Sequence, residues 1–379
     1  MKRIGQIAII ALFVAALWVP LICTPYRAEH ERARLKAAEH REPDGGLSLD
    51  ACNGSVSQWV AGIQCWYRDS FAFRSRFLSL YNGVHYLIRN YPGKVFGVEG
   101  QLFQRGSVVE AGRILTDAQR EVIRENLKGL RAVCDEAGVP CVFIIIPSKL
   151  TVHPQLAPRW AQSCSFEPLR NELIGMFHAA QFPAFDLSSD VIADADQTGR
   201  VLFRKYDLHW NLAGAIVGYQ KIMEVLREYC PEARTVSDEL YMIVQDEGVT
   251  RLTRRRYLDF MLSESEQRID QIDLPPVRVV TAGGEQMTTL FWVSRGGVKE
   301  VFCSELGSQT VLFIRDSFLS TPAILLNHSL PHSVYMNFSK EGRDPRMAME
   351  RYQPDLLLFA LQESRVKSAL LNLRSLNGN

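Results

Sequence analysis

Residues 141–146, Cys-Val-Phe-Ile-Ile-Ile, form a continuous apolar run that limits the fold more than any other feature of the chain. An apolar strand with no polar alternation is buried on both faces, as a strand inside a parallel sheet is. This run lies within a regular alternation of helical and strand patterns that begins at Thr116. Thr116-Asp117-Ala118-Gln119 reads as a capping box, and Ile123, Leu127, Leu130 and Cys134 then recur at helical spacing up to Gly138. A second helix is expected from Ser165 through Leu169, Leu173, Met176 and Phe177, then a strand at 183–187 and a helix over 212–229. The pattern pauses between residues 231 and 307. It resumes with strands at 310–314, 333–337 and 355–360, and with helices after Ser317 and from Asp344-Pro345. Strands alternating with helices predict an α/β three-layer sandwich whose central sheet is parallel.

The pause holds Arg254-Arg255-Arg256, Pro275-Pro276 and several glycines, and reads as an insertion with irregular and strand-like parts. Ahead of the alternation, residues 58–91 are aromatic-rich and helical, and 94–103 read as a hairpin. Residues 27–41 are charged with almost no apolar face, which suits a spacer. Before them, residues 4–23 are apolar except for Gly5, Gln6 and Pro20. That length, roughly 19–20 residues, fits a membrane-spanning signal anchor better than the core of a cleaved signal peptide. The expected organisation is an anchor at 1–25, a spacer at 26–57 and a main domain at 58–370 with an insertion at about 231–307.

Seven cysteines follow the anchor, and none has zinc-site spacing. Disulfides in an oxidising compartment are the natural reading, with Cys52–Cys65 and Cys134–Cys141 as short-loop pairs. Arg27, Arg32, Arg34 and Lys36 follow the apolar run and run against the positive-inside tendency, yet export remains the favoured orientation. A formal charge of +1 with no strongly basic domain excludes nucleic acid as the expected partner. Arg254–Arg256 would suit an acidic polymer, although a solvated charge run is the commoner explanation.

Two short segments carry the chemistry. Asp207-Leu208-His209-Trp210-Asn211 stands just before a helix, and Arg315-Asp316-Ser317-Phe318 follows a buried strand. In an open parallel sheet, functional groups gather beyond the carboxyl ends of the strands. A serine there needs a base, and a histidine base needs an acid to hold its tautomer. Ser317, His209 and Asp207 supply those three types. Taken singly, Asp-Ser after a strand is more often a helix cap and Asp-x-His a polar loop. Their joint occurrence in one α/β pattern makes the functional reading the stronger one.

On these segments the chain resembles the alginate O-acetyltransferase family of SGNH-hydrolase-like proteins. The family's Asp-x-His-Trp motif matches residues 207–210, and its following Asn and Gly match Asn211 and Gly214. A late Gly-Asp-Ser-Phe motif matches Arg315-Asp316-Ser317-Phe318, with Arg315 in place of the glycine. Weaker matches are Gly97-Val98-Glu99-Gly100-Gln101-Leu102-Phe103, Pro147-Ser148-Lys149, and Pro354-Asp355 through Glu363, where Ser364 replaces a frequent Arg. The resemblance implies an extracytoplasmic, inner-membrane-anchored enzyme that moves an acetyl group through a Ser317 acyl-enzyme to hydroxyls of an exported polysaccharide. It implies no cofactor and no metal, and a membrane-bound O-acyltransferase partner that supplies the acetyl group. His209 would act as base and Asp207 as its orienter. The Ser317 N–H and Asn337 are candidate oxyanion donors, and Arg315 is the residue expected to alter the nucleophile turn. Trp210 is a candidate sugar platform, with a core tryptophan at the helix start as an equal alternative. A carbohydrate esterase or deacetylase with the same triad, and a non-catalytic polysaccharide-binding scaffold, are the alternatives.

Overall fold

The computed structural model describes residues 2–39, 56–90, 93–246, 266–272, 274, 276–291, 293 and 297–374. These divide into two compact units, one formed by residues up to 90 and one by residues from 93 onward. The first unit is helical: α1 (Lys2–Glu39), α2 (Val56–Ser70) and α3 (Arg74–Leu87). Residues 4–23 lie in α1, yet among the described residues no helix is long and apolar enough to cross a membrane. Residues 58–91 do not form one helix. The chain breaks between α2 and α3, where Phe73 adopts a left-handed conformation with φ 63°.

The second unit opens with an antiparallel hairpin, β1 (Lys94–Phe96) and β2 (Leu102–Gln104), as the sequence predicts. Next come α4 (Arg105–Glu110), α5 (Asp117–Ala137), β3 (Cys141–Ile146), α6 (Lys149–Val152), α7 (Glu167–Ala179), β4 (Ala184–Asp186), α8 (Ser188–Thr198) and α9 (Leu212–Tyr229). A separate two-stranded ribbon, β5 (Tyr241–Asp246) and β6 (Glu266–Ile272), precedes β7 (Val277–Thr281), β8 (Gly284–Thr288) and β9 (Lys299–Phe302). The chain ends with β10 (Thr310–Arg315), α10 (Ala323–Leu326), β11 (His332–Asn337), α11 (Pro345–Tyr352), β12 (Leu356–Gln362) and α12 (Glu363–Leu371).

Eight strands form one sheet in the order β4-β3-β12-β10-β11-β9-β7-β8. Neighbours from β4 to β11 pair in parallel, but β9, β7 and β8 pair antiparallel. The sheet is therefore mixed rather than wholly parallel. For the β7–β8 pair the connection decides it: Ala282-Gly283 turns β7 straight into β8, and a turn that short permits only an antiparallel pair. Much of the expected insertion thus extends the central sheet. Arg254–Arg256 lie outside the described residues.

Side-chain alternation divides the core into two layers. Val142, Ile144, Ile146, Phe313 and Leu358 pack with α8, α9 and α10 on one face. Phe143, Ile145, Leu312, Leu357 and Phe359 pack with α5, α7, α11 and α12 on the other. Phe143 stacks between Phe177 and Phe359, with ring centroids 4.1 and 4.6 Å away. The capping box of α5 forms as read, with Gln119 N–H on Thr116 Oγ1 and Thr116 N–H on Gln119 Oε1. Ser165 accepts from Glu167 N–H at the start of α7. Helix α8 carried no sequence expectation. The helix expected after Ser317 is only a 3-10 turn, Ser317–Ser320, followed by the four-residue α10.

The disulfide reading needs correction. Cys65, Cys134, Cys141, Cys164, Cys230 and Cys303 are free thiols, and Cys52 lies outside the described residues. Cys134 and Cys141 are buried in the core, where burial pushes the Cys141 thiol well above its ordinary range. They behave as small apolar side chains.

Two histidines, His153 buried and His332 half-buried, are expected to make the fold acid-sensitive. His153 accepts the Leu202 N–H at Nε2, and burial together with the Lys149 charge lowers its pKa from 6.5 to about 4. His332 is likewise pushed down to about 4 by burial and by the Arg278 charge. The unfolded chain binds these protons first as pH falls below 6.5, so the stabilisation present at neutral pH is lost between 6.5 and about 4. Thermal unfolding from pH 7.5 down to 4.5 should show stability falling by about 1.4 kcal/mol per pH unit for each histidine in that window. His153→Gln should flatten the profile; an unchanged slope would refute the assignment.

Candidate functional site

Asp207 and His209 sit on a short loop between α8 and α9 that folds back on itself. Phe203 and Trp210 form an antiparallel bridge, Arg204 N–H donates to His209 O at 3.1 Å, and Asn211 N–H donates to Leu202 O at 2.9 Å. Asn211 then caps α9 by accepting Gly214 N–H at 3.0 Å. Gly214 must be glycine because a Cβ there would stand 2.4 Å from Leu202 O.

Ser317 follows β10 at its carboxyl end. Asp316 shapes the turn: one carboxylate oxygen accepts Phe318 N–H at 2.8 Å, and the other accepts Gln362 N–H at 2.9 Å at the end of β12. Burial pushes the Asp316 carboxyl up in spite of these donors. Trp210 ties the two segments together, since its indole N–H donates to Phe318 O at 2.9 Å.

These constraints bring the three side chains into line. Ser317 Oγ lies 2.7 Å from His209 Nε2, and His209 Nδ1 lies 3.2 Å from Asp207 Oδ2. Asp207 Oδ1 also accepts Leu208 N–H at 2.7 Å. With Nδ1–H donating to Asp207, Nε2 is left to accept from the serine hydroxyl. Burial alone would raise the Asp207 pKa, but the charges of His209, Lys94 and Arg204 outweigh it and hold the carboxyl well below the usual range. Ser317 is half-buried, and its N–H has no acceptor among the described residues. Nucleophile, base, orienter and a free backbone donor are the components of acyl transfer.

The other expected site residues fall differently. Trp210 is fully buried, so its ring packs beneath the site and presents no face to a sugar. Arg315 is also fully buried, and its Nη1 donates to Asp316 O at 3.2 Å and Ser320 Oγ at 3.4 Å. It braces the back of the turn, where a glycine would leave the carbonyl and hydroxyl unbridged. Asn337 ends β11 opposite Arg315, and its Oδ1 accepts from Ser339 N–H and Ser339 Oγ.

The structure also assigns work to residues whose roles the sequence did not reveal. Lys149 is buried, and its ammonium donates to the carbonyls of Arg204 at 2.7 Å, Lys205 at 3.1 Å and Leu102 at 3.3 Å. Lys205 O also accepts Leu102 N–H at 2.8 Å, so hairpin, α6 and histidine loop meet at one point. Glu363 holds α6 from below, accepting Ser148 N–H at 2.8 Å and pairing with Arg170 at 2.7 Å. Lys149 is thus a positioning residue two peptide units from Asp207. Lys149→Met keeps the stem but takes the ammonium donor from the Arg204 and Leu102 carbonyls, each costing about 1–3 kcal/mol, while Lys205 O keeps the Leu102 N–H. Denaturant unfolding should show a loss of about 2–4 kcal/mol, and kcat should fall more than KM rises. Wild-type stability in this variant would refute the role.

A layered α/β sheet with Ser, His and Asp aligned beyond its parallel strands defines an SGNH-hydrolase-like protein. The family model described as "SGNH hydrolase-like domain, acetyltransferase AlgX" matches residues 95–291, more than half of the chain, and the chain belongs to that family. The matched span contains Asp207 and His209 and ends before Ser317. No curated protein matches the chain. Among solved structures, Bacillus cereus PatB1 with a sulfonyl adduct is 13% identical with a TM-score of 0.58, over 74% of this chain and 98% of that one. A DHHW family protein from Eubacterium siraeum is 10% identical with a TM-score of 0.51, over 74% and 95%. The O-acetyltransferase domain of Pseudomonas putida AlgJ is 18% identical with a TM-score of 0.43, over 75% and 100%. At such identities the first two likenesses establish a common fold and nothing more.

Proposed function

We propose that the protein is a polysaccharide O-acetyltransferase that works through an acetyl-Ser317 intermediate outside the cytoplasm. The observation that carries the reading is the hydrogen-bonded line from Ser317 through His209 to Asp207, in a chain of an acetyltransferase family. His209 Nε2 takes the Oγ proton as Oγ attacks the acetyl carbonyl of the donor. The tetrahedral oxyanion forms beside the Ser317 N–H, and the same proton passes from His209 to the departing donor alcohol. An acceptor hydroxyl then gives its proton to His209, attacks the acetyl-serine carbonyl and leaves with the acetyl group, while His209 returns that proton to Ser317 Oγ. Asp207 stabilises the imidazolium in both halves.

Membrane attachment through residues 4–23, and delivery of acetyl by a membrane-bound O-acyltransferase, are part of the same proposal. The apolar run and the outward-facing Ile7, Ile10, Phe13, Trp18 and Ile22 of α1 support the first, and the family resemblance supports the second.

The test is to give the purified full chain an acetyl ester with and without an oligosaccharide. Transfer predicts an acetylated sugar and faster ester consumption when the sugar is present. Equal consumption with no acetylated sugar would make the protein a hydrolase. Absence of any acetyl-serine by mass spectrometry of folded protein would leave a binding scaffold.

A further inference from the structure

Helix α3 exposes an apolar stripe at helical spacing. Phe77, Leu80, Tyr81, Val84, Leu87 and Ile88 are each between 42% and 66% exposed. At 100° per residue these six positions cover roughly 120° of the circumference, with no charged residue among them. The inward side carries Leu78 and the buried Gly83. A stripe of this kind on a soluble surface would be an association hazard unless something covers it.

Two contacts tie the start of α3 to one level of α1. Ala72 N–H donates to Thr24 Oγ1 at 3.1 Å, and the Arg27 guanidinium lies 4.8 Å from the centre of the Phe73 ring. Thr24 and Arg27 directly follow the apolar run of residues 4–23. The helix therefore begins where that run ends, at the depth of a headgroup layer if the run is in a bilayer. Basic residues flank the stripe, with Arg74 and Arg76 at one end and Arg89 at the other. No acidic residue occurs between Arg74 and Arg89.

We infer that α3 lies in the membrane interface, its apolar stripe sunk to the headgroup–acyl boundary and its arginines paired with anionic lipid headgroups. Such a placement would combine buried apolar area with attraction to anionic lipid, the two contributions that hold a helix at the interface. Aromatic side chains such as Phe77 and Tyr81 suit that depth. This inference rests on the membrane attachment proposed above and makes α3 a second contact beside the α1 run.

The full chain in vesicles of neutral and anionic phospholipid, doped with a lipid carrying a photoreactive acyl chain, separates the two claims. Peptide mapping should find lipid adducts within residues 77–88 as well as within 4–23. Leu80→Glu with Leu87→Glu should lower the adducts on 77–88 about tenfold and leave those on 4–23 unchanged. Both side chains are exposed, so the variant should keep the helical content of the parent. Adducts on 4–23 with none on 77–88 would overturn the α3 inference and spare the anchor. Adducts on 77–88 alone would uphold α3 and remove the anchor, and adducts on neither would overturn both. A detergent-solubilised dimer that the double variant dissolves, with no lipid adduct on 77–88, would assign the stripe to a second copy and overturn the inference.

Discussion

Ser317→Ala is expected to abolish acetyl transfer while leaving the fold in place. Among the described residues Ser317 Oγ bonds to His209 Nε2 alone, so its removal should change stability by no more than about 1 kcal/mol. Without the oxygen no acyl-enzyme can form, and residual turnover should fall by about a thousandfold or more. Acetate released from an ester substrate and thermal unfolding of the same preparation check both halves. Undiminished polymer acetylation by the folded variant would rule out the covalent mechanism.

Asp207→Asn should come next in severity and for a different reason. The carboxylate accepts a hydrogen bond from His209 Nδ1–H, and that leaves Nε2 to face Ser317 as an acceptor. An amide at the same place would present its own N–H to Nδ1 and reverse the tautomer, pointing an Nε2–H at the nucleophile. In serine proteases such a change lowers kcat by about ten-thousandfold with the geometry retained, and a comparable loss is expected here. KM should change little. The cost also has an electrostatic part, since Lys94 and Arg204 act on the Asp207 charge. Because these cations and His209 depress its pKa, the charge persists below the ordinary carboxylate range. Its stabilising contribution is present at neutral pH and lost only as pH falls through that depressed value. A loss of less than tenfold in kcat would mean that Asp207 does not orient the base.

Much of this architecture is legible from local pattern. Residues 141–146 and 355–360 could be read as buried strands because strands covered on both faces need apolar residues at consecutive positions. The helix from Thr116 announces itself by its capping box. Antiparallel β7–β9 were harder to read, because short strands of mixed polarity carry little information about their partners. The paired thiols show the same limit: Cys134 and Cys141 flank a helix-to-strand turn, and spacing alone cannot separate a disulfide from two packed side chains.

By itself the sequence determined the α/β layering, the three reactive residue types and the family they belong to. Those follow from local periodicity and from the chemistry a side chain can perform. Only the tertiary structure decided how Ser317 and His209, 108 residues apart, come within 2.7 Å. It also decided that Trp210, which could have been a sugar platform or a core residue, and Arg315 are internal braces of the nucleophile turn, and that Lys149 holds the histidine loop by its carbonyls. The physical reason is common to all of them. A polar or aromatic side chain has the same composition whether it meets a ligand or a buried backbone group, and only the packed chain determines which one it reaches.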